Sequence, residues 1–342
     1  MRWRAAVIGC GARERRGDEG FAIGHAHGAA YRALERVDLV AACDVDADNL
    51  RRFQERFAVP RGYLDYRELL AQEKPDVVSV CVPVGWHREM VVACAEAGVR
   101  AVLCEKPLAL SLDDVDAMVA ACRRSGTTLA LNTQRRFGAR WRAARELVAR
   151  GAIGEPLRFE GTCPGWDLLE WGTHWVDMAR FFAGEAAAEW VFAQVDAATP
   201  RYRYGHRVES DALVAVGYAG GFRALLFMGE HAPPAPANRL LGTEGVLEVD
   251  GAHGTRYVGA DTAGWRSVEV APDPRDPIQL SIAALLEAAE AGREPPHGAT
   301  CARAVMEVVL AAYESAAQGR VVSLPLVARD FPLERLVARY AP

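Results

Sequence analysis

From Arg4 to Asn132 the chain repeats one pattern, a short apolar run followed by a stretch with helical spacing. That alternation narrows the fold, because parallel strands need a crossover and a helix is the usual one. Strands are predicted at Arg4 to Gly9, Val37 to Cys43, Val77 to Val82, Val99 to Cys104 and Thr127 to Asn132. Helices are predicted at Ile23 to Arg36, Asp48 to Phe57, Tyr66 to Gln72 and Arg88 to Ala97. A further helix opens at Ser111-Leu-Asp-Asp114 as a capping box and stops at Gly126, with Val115, Met118, Val119 and Cys122 on one face. Residues 1–132 therefore read as a doubly wound parallel α/β unit.

The texture changes after residue 132. A helix over Arg140 to Arg150 gives way to strand-like alternation. Ser210 to Tyr218 and Phe222 to Met228 flank Ala219-Gly-Gly221, a hairpin signal. Two helices follow, Pro277 to Ala291 before Gly292 and Thr300 to Gln318 before Gly319. With 342 residues, two domains are expected, 1–132 and 133–342.

Composition excludes more than it selects. The net charge of −5 comes from interspersed signs, so neither nucleic acid nor a membrane surface is an expected partner. No apolar run approaches the length of a membrane span. Cys10 follows too short an apolar stretch for a lipoprotein signal, and none follows Arg15-Arg16, so a cytoplasmic protein is expected. The eight cysteines read as small buried hydrophobes in a reducing compartment. His25-Ala-His27 lacks partners at ligand spacing, so it reads as a helix start and no metal site is expected.

A cofactor site is written into the first βαβ unit. Val7-Ile-Gly9-Cys-Gly11 follows the first strand, where two glycines let the backbone turn tightly and approach a pyrophosphate. Glu14 stands where a third glycine is due, the loop runs on through Arg13 to Gly20, and Gly24 opens the helix. This is an insertion between the second and third fingerprint glycines. Asp44 ends the second strand 20 residues after Gly24, where a carboxylate holds ribose hydroxyls. An acid there repels a 2′-phosphate, so NAD is favoured over NADP.

Lysine is rationed. Of 40 basic residues only Lys74 and Lys106 are lysines, both in Glu-Lys-Pro. Lysine can share a proton and arginine effectively cannot, so a retained lysine suggests chemistry. Lys74 precedes a predicted strand and Lys106 follows one. Ligands bind outside the carboxyl ends of parallel strands, which puts Lys106 on the functional side and Lys74 on the other.

At this point the chain resembles the Gfo/Idh/MocA oxidoreductases. The matching segments are Val7 to Gly11, Cys43-Asp44-Val-Asp46, Cys81-Val-Pro83 with His87, and Glu105-Lys106-Pro107. They continue with Asn132-Thr-Gln-Arg-Arg-Phe137, Gly172-Thr-His174-Trp-Val-Asp177 and Gly242-Thr-Glu-Gly245. The resemblance implies a Rossmann domain followed by an α/β domain on a largely antiparallel sheet, with the active site between them. It implies Lys106 and His174 as the catalytic pair, and Asp177 as a substrate contact. Glu170 stands where the family usually has Asp, four residues before the histidine. Trp166 and Arg136 join the expected substrate residues, and Pro83, His87, Glu105 and Lys106 join Gly9, Gly11, Gly24 and Asp44 at the cofactor. The family also implies a homodimer or homotetramer assembled through the second sheet.

Oxidising an alcohol needs a base for the hydroxyl proton and a positive charge for the developing alkoxide, and histidine and lysine supply both. Trp166, Trp171 and Trp175 suit the C–H faces of a polyol as well as they suit packing. Tyr202, Tyr204 and His206, in a loop over 200–207, are further candidates. The leading reading is an NAD-dependent dehydrogenase or reductase for a sugar, cyclitol or related polyol. Two others stay open: a glycoside hydrolase that oxidises transiently with bound NAD, and a non-enzymatic ligand-binding regulator.

Overall fold

The apolar runs of the first third become strands β1 (Trp3–Ile8), β2 (Val37–Cys43), β3 (Arg61–Tyr63), β4 (Val77–Val80), β5 (Ala101–Cys104) and β6 (Thr128–Leu131). The computed structural model describes residues 2–11, 22–199, 201–233 and 238–338; the inserted loop Arg13–Gly20 lies outside them. All six strands are parallel, in the order β3-β2-β1-β4-β5-β6. The order reverses beside β1, which opens a crevice at the carboxyl ends of β1 and β4. The crossovers are α1 (Ile23–Arg32), α2 (Ala47–Phe57), α3 (Tyr66–Glu73), α4 (His87–Glu96) and α5 (Leu112–Ser125).

Local signals explain most boundaries. Ser111 Oγ accepts from the Asp114 N–H, and Gly126 closes α5 in the left-handed conformation at φ +75°. The helix predicted to Arg36 stops at Arg32 instead. Leu34 turns back to Tyr31, and the Arg36 carbonyl accepts from the Trp3 N–H at the start of β1. Edge strand β3, with three residues, is too short to show a period.

The second unit begins with α6 (Ala139–Ala149), β7 (Pro156–Pro164) and a five-residue π turn, Leu168–Gly172, that runs into α7 (Thr173–Phe182). Strands follow as β8 (Ala188–Asp196), β9 (Arg201–Arg203), β10 (His206–Val208), β11 (Asp211–Tyr218), β12 (Arg223–Gly229), β13 (Asn238–Gly242), β14 (Val246–Gly251), β15 (Gly254–Val258) and β16 (Arg266–Ser267). The chain closes with α8 (Pro277–Glu290), α9 (Ala299–Gln318), β17 (Val322–Ser323) and α10 (Pro332–Ala338). Nine strands form one sheet in the order β16-β15-β14-β13-β7-β12-β11-β8-β17. Every neighbouring pair is antiparallel except β7–β12. In the segment 200–207, expected as a loop, the described residues from 201 on are largely a two-stranded ribbon of β9 and β10, with Tyr204 at φ +50° in its turn.

The division of the chain is not a single cut. The first unit takes the chain up to Asn132 and also Arg203–His206 and Arg275–Arg303; the second takes the rest. Residues 275–303, which the sequence assigned to the second domain, return because α8 packs against α1, β5 and β6. Ile278, Ile282, Leu285 and Leu286 sit in one buried cluster with Trp3, Val7, Tyr31 and Leu103. Each such side chain contributes about 1.5–3 kcal/mol of burial, enough to fix where the helix goes. Among the described residues no helix is long and apolar enough to cross a membrane.

Candidate active site

The carboxyl ends of β1, β2 and β4 border a cleft of about 770 Å³ in the first unit. Ile8, Gly9, Gly11, Asp44, Pro83 and Trp86 are among the residues that line it. Gly9 has φ +92°, and a Cβ there would lie 2.4 Å from the Cys81 carbonyl oxygen. A Cβ on Gly24 would lie 2.2 Å from the carbonyl oxygen of Gly9. Only glycine lets β1, the turn and α1 come this close. Asp44 Oδ2 accepts from the N–H groups of Cys10, at 2.8 Å, and Gly11, at 2.9 Å, so the strand-end acid also shapes the glycine turn. Its other oxygen accepts from the Asp46 N–H. The tight glycine cradle, the strand-end carboxylate and the apolar walls fit a dinucleotide.

Lys106 is the second residue after β5, at the carboxyl side of the sheet, and is half-buried. Lys74 caps α3 at the opposite side, exposed and left-handed at φ +45°. Beside Lys106 the Glu105 carboxylate is buried, 2.8 Å from His27 Nε2 and 2.6 Å from the Asn132 amide that donates to it. Burial alone would raise its pKa, but the hydrogen bond and charge of His27, the Lys106 charge and Asn132 hold it below the usual carboxylate value. His27 Nδ1 lies 2.9 Å from Ser79 Oγ, which also meets Tyr31 Oη at 2.8 Å. His27 therefore does more than start a helix. It ties α1 to the loop that carries the lysine, while His25 packs on Phe53 and Phe57.

His87, expected at the cofactor, is buried with both ring nitrogens against backbone carbonyls. Its Nδ1 lies 2.9 Å from the Pro107 carbonyl oxygen and its Nε2 2.8 Å from that of Val82. A carbonyl can only accept, so the ring donates to both partners only when it carries both protons. The imidazole thus joins the turn after β4 to the Lys106 loop.

In the second unit the π turn and α7 present the other expected residues. Asp167 Oδ1 accepts from the Glu170 N–H at 2.7 Å and caps the turn. Glu170 is buried in that turn and His174 is buried in the first turn of α7. The Trp171 ring meets His174 edge-on, with centroids 5.9 Å apart, and Trp166 lies 4.4 Å from Trp171. Arg135 lies 4.0 Å above the Trp175 ring, and burial pulls its pKa down. Arg136 and Asp177, both expected at the substrate, are joined to each other inside the unit.

Sequence reasoning missed one group. Glu209, between β10 and β11, accepts from the Leu168 N–H and, at 2.6 Å, from the Tyr313 hydroxyl of α9. A glutamate before one strand and a tyrosine inside a late helix carry no local signal that they meet.

Residues 3–133 match the oxidoreductase family with an NAD-binding Rossmann fold, and residues 164–248 match the GFO/IDH/MocA C-terminal domain. The chain is 29% identical to a D-apiose dehydrogenase of Paraburkholderia graminis, over 97% of this chain and 92% of that one. It is 35% identical to a myo-inositol 2-dehydrogenase of Thermotoga maritima, over 50% of this chain and 54% of that one. Its fold matches levoglucosan dehydrogenase in complex with NADH, with a TM-score of 0.81 at 20% identity over 96% and 100% of the two chains. An oxidoreductase from Agrobacterium radiobacter in complex with NAD+, L-tartaric acid and magnesium aligns equally well, with a TM-score of 0.81 at 23% identity over 94% and 98%. With both domains matched in order on a Rossmann sheet followed by a mixed sheet, the chain belongs to the Gfo/Idh/MocA family of oxidoreductases.

Proposed function

We propose that this oxidoreductase is an NAD-dependent dehydrogenase or reductase acting on a secondary hydroxyl of a sugar, cyclitol or related polyol. The observation that carries the reading is Lys106 itself, one of only two lysines, set after β5 beside a buried glutamate and in the same unit as a glycine-cradled cleft. Bound NAD would supply the hydride acceptor, held by the turn of Gly9 and Gly11, the α1 start at Gly24, and Asp44 on the ribose. Pro83 would border it. Glu105, through its tie to His27 and Asn132, holds the lysine loop in place.

Lys106 offers its ammonium to the substrate oxygen and steadies the negative charge that develops as the C–H bond breaks. His174 takes the hydroxyl proton. The hydroxyl proton would go to the imidazole, and the hydride acceptor that bound NAD would supply balances oxidation of the alcohol to a carbonyl. Trp166 and Trp171 give the C–H faces of a polyol a surface, and Glu170 is assigned a hydroxyl or the imidazole itself. Asp177 on α7, paired with Arg136 from the turn before α6, supports this surface from inside the unit. Among the described residues that line the cleft, three carboxylates, Asp44, Asp65 and Glu89, stand against one guanidinium, Arg67, which supports NAD over NADP.

The Paraburkholderia graminis and Thermotoga maritima relatives are named dehydrogenases, and nothing in the site favours the transient-oxidation hydrolase or the regulator. We assign the protein to the cytoplasm, as a homodimer or homotetramer assembled through the open sheet face that presents Leu213, Leu225 and Phe227. Light scattering on the purified chain checks the assembly. The functional test is a screen of D-apiose, myo-inositol and related polyols for NADH formation. Turnover that falls on the acid side of a kcat/KM profile is expected for a histidine base. No turnover with any polyol, or full turnover by His174→Ala, would sink the assignment.

A further inference from the structure

Two carboxylates meet at the start of the π turn. Glu209 is 1% exposed and Asp167 is 3% exposed. Glu209 Oε1 accepts from the Leu168 N–H, and Asp167 Oδ1 accepts from the Glu170 N–H two residues on. Tyr313 donates to Glu209 Oε2 at 2.6 Å, and its hydroxyl also takes a backbone hydrogen bond from Leu169. Phe331 meets the Tyr313 ring edge-on at 5.8 Å. The orphan N–H groups at the start of the turn are thus satisfied by side chains from outside the segment as well as within it.

We infer that Glu209 is a positioning residue for the segment bearing Trp171 and His174, fixing the start of the π turn through Leu168 while Tyr313 fixes Glu209. For turnover, this inference rests on the reading of His174 as the base. A five-residue turn departs from α-helical spacing, so where it begins sets the azimuth at which α7 presents His174. Asp167, by capping the same turn, works with Glu209. The titratable groups facing Glu209 are Asp167 and Tyr313. Burial and then the Asp167 charge push Glu209 up to about 7, so the pair keeps a proton at the turn near neutrality.

The test uses the full chain without ligand, in three variants: Glu209→Gln, Glu209→Ala and Tyr313→Phe. Near-UV circular dichroism reads the Trp166–Trp171 pair, whose 4.4 Å separation makes its signal sensitive to the turn. Imidazole NMR reads the His174 titration, assigned by the resonance that His174→Ala removes. Glu209→Ala and Tyr313→Phe are expected to move the His174 midpoint by roughly half a pH unit or more. Both should also change the tryptophan signal, and Glu209→Gln, which still accepts from Leu168, should restore it. An unchanged midpoint and tryptophan signal in folded Glu209→Ala would overturn the inference. If that variant does not fold, unchanged readings in Tyr313→Phe would overturn it in the same way. Full turnover by His174→Ala would instead remove the base and leave the spectroscopic result standing.

Discussion

Arg136 and Asp177 face one another inside the second unit, with side chains only 2% and 0% exposed, and Arg136 Nε donates to Asp177 Oδ2 at 3.0 Å. Nη2 donates to the other Asp177 oxygen, and Glu185 takes the third nitrogen, Nη1, at 3.1 Å. A charge buried with its partner is tolerated, while one left alone is costly.

Asp177→Ala should therefore cost about 3–5 kcal/mol of stability, seen as a lower urea midpoint. The double variant Arg136→Leu with Asp177→Leu should recover most of that loss, because no charge is then stranded. A parental midpoint for Asp177→Ala would return Asp177 to a substrate role alone.

The two lysines test each other. Lys106→Arg should lower turnover at least about 10²-fold with the fold intact, because a guanidinium misplaces the charge and cannot share a proton. Lys74→Arg should match the parent, since its side chain is exposed at a helix cap. Normal turnover in both would show that Lys106 is not at the reacting oxygen.

Asp44 should make NAD bind at least about tenfold more tightly than NADP, the factor given by a single unfavourable contact of about 1.4 kcal/mol. Asp44→Ala should narrow that ratio and also weaken NAD, because the carboxylate orders the Cys10 and Gly11 N–H groups. A fluorescence titration giving equal affinities for the parent would take Asp44 away from the ribose.

Stability should respond to pH through Glu209. Its pKa in the folded chain is about 7 against an ordinary 4.5. The stabilisation from its protonated form is complete below the ordinary value and is lost as pH rises through the folded one. Glu209→Gln, which stays neutral, should match the parent near pH 4.5 and exceed it above about pH 7 by of order 1–3 kcal/mol. Thermal unfolding at both ends of that window reads the difference, and a constant gap would show that Glu209 does not titrate there.

What the sequence disclosed was local. Gly9, Gly24 and Asp44 could be placed because a tight turn and a strand end leave marks at fixed spacing. Lys106 stood out against a background of arginine. The partners of those residues were hidden, because Glu209 and Tyr313 meet across 104 positions and His27 reaches Glu105 across 78. Periodicity reports that a side chain is buried and does not report its neighbour. The same blindness misassigned α8, whose apolar face is visible in sequence while the sheet it covers is not.

That helix imposes an order on synthesis. As the ribosome finishes β6, the first sheet and α1 still lack the cover that Ile278, Ile282, Leu285 and Leu286 provide. All of the second sheet except β17 must emerge before Trp3 can meet Glu290, 287 positions away. The nascent nucleotide-binding half waits with an uncovered apolar flank, so a chain truncated at Asn132 should aggregate rather than bind cofactor.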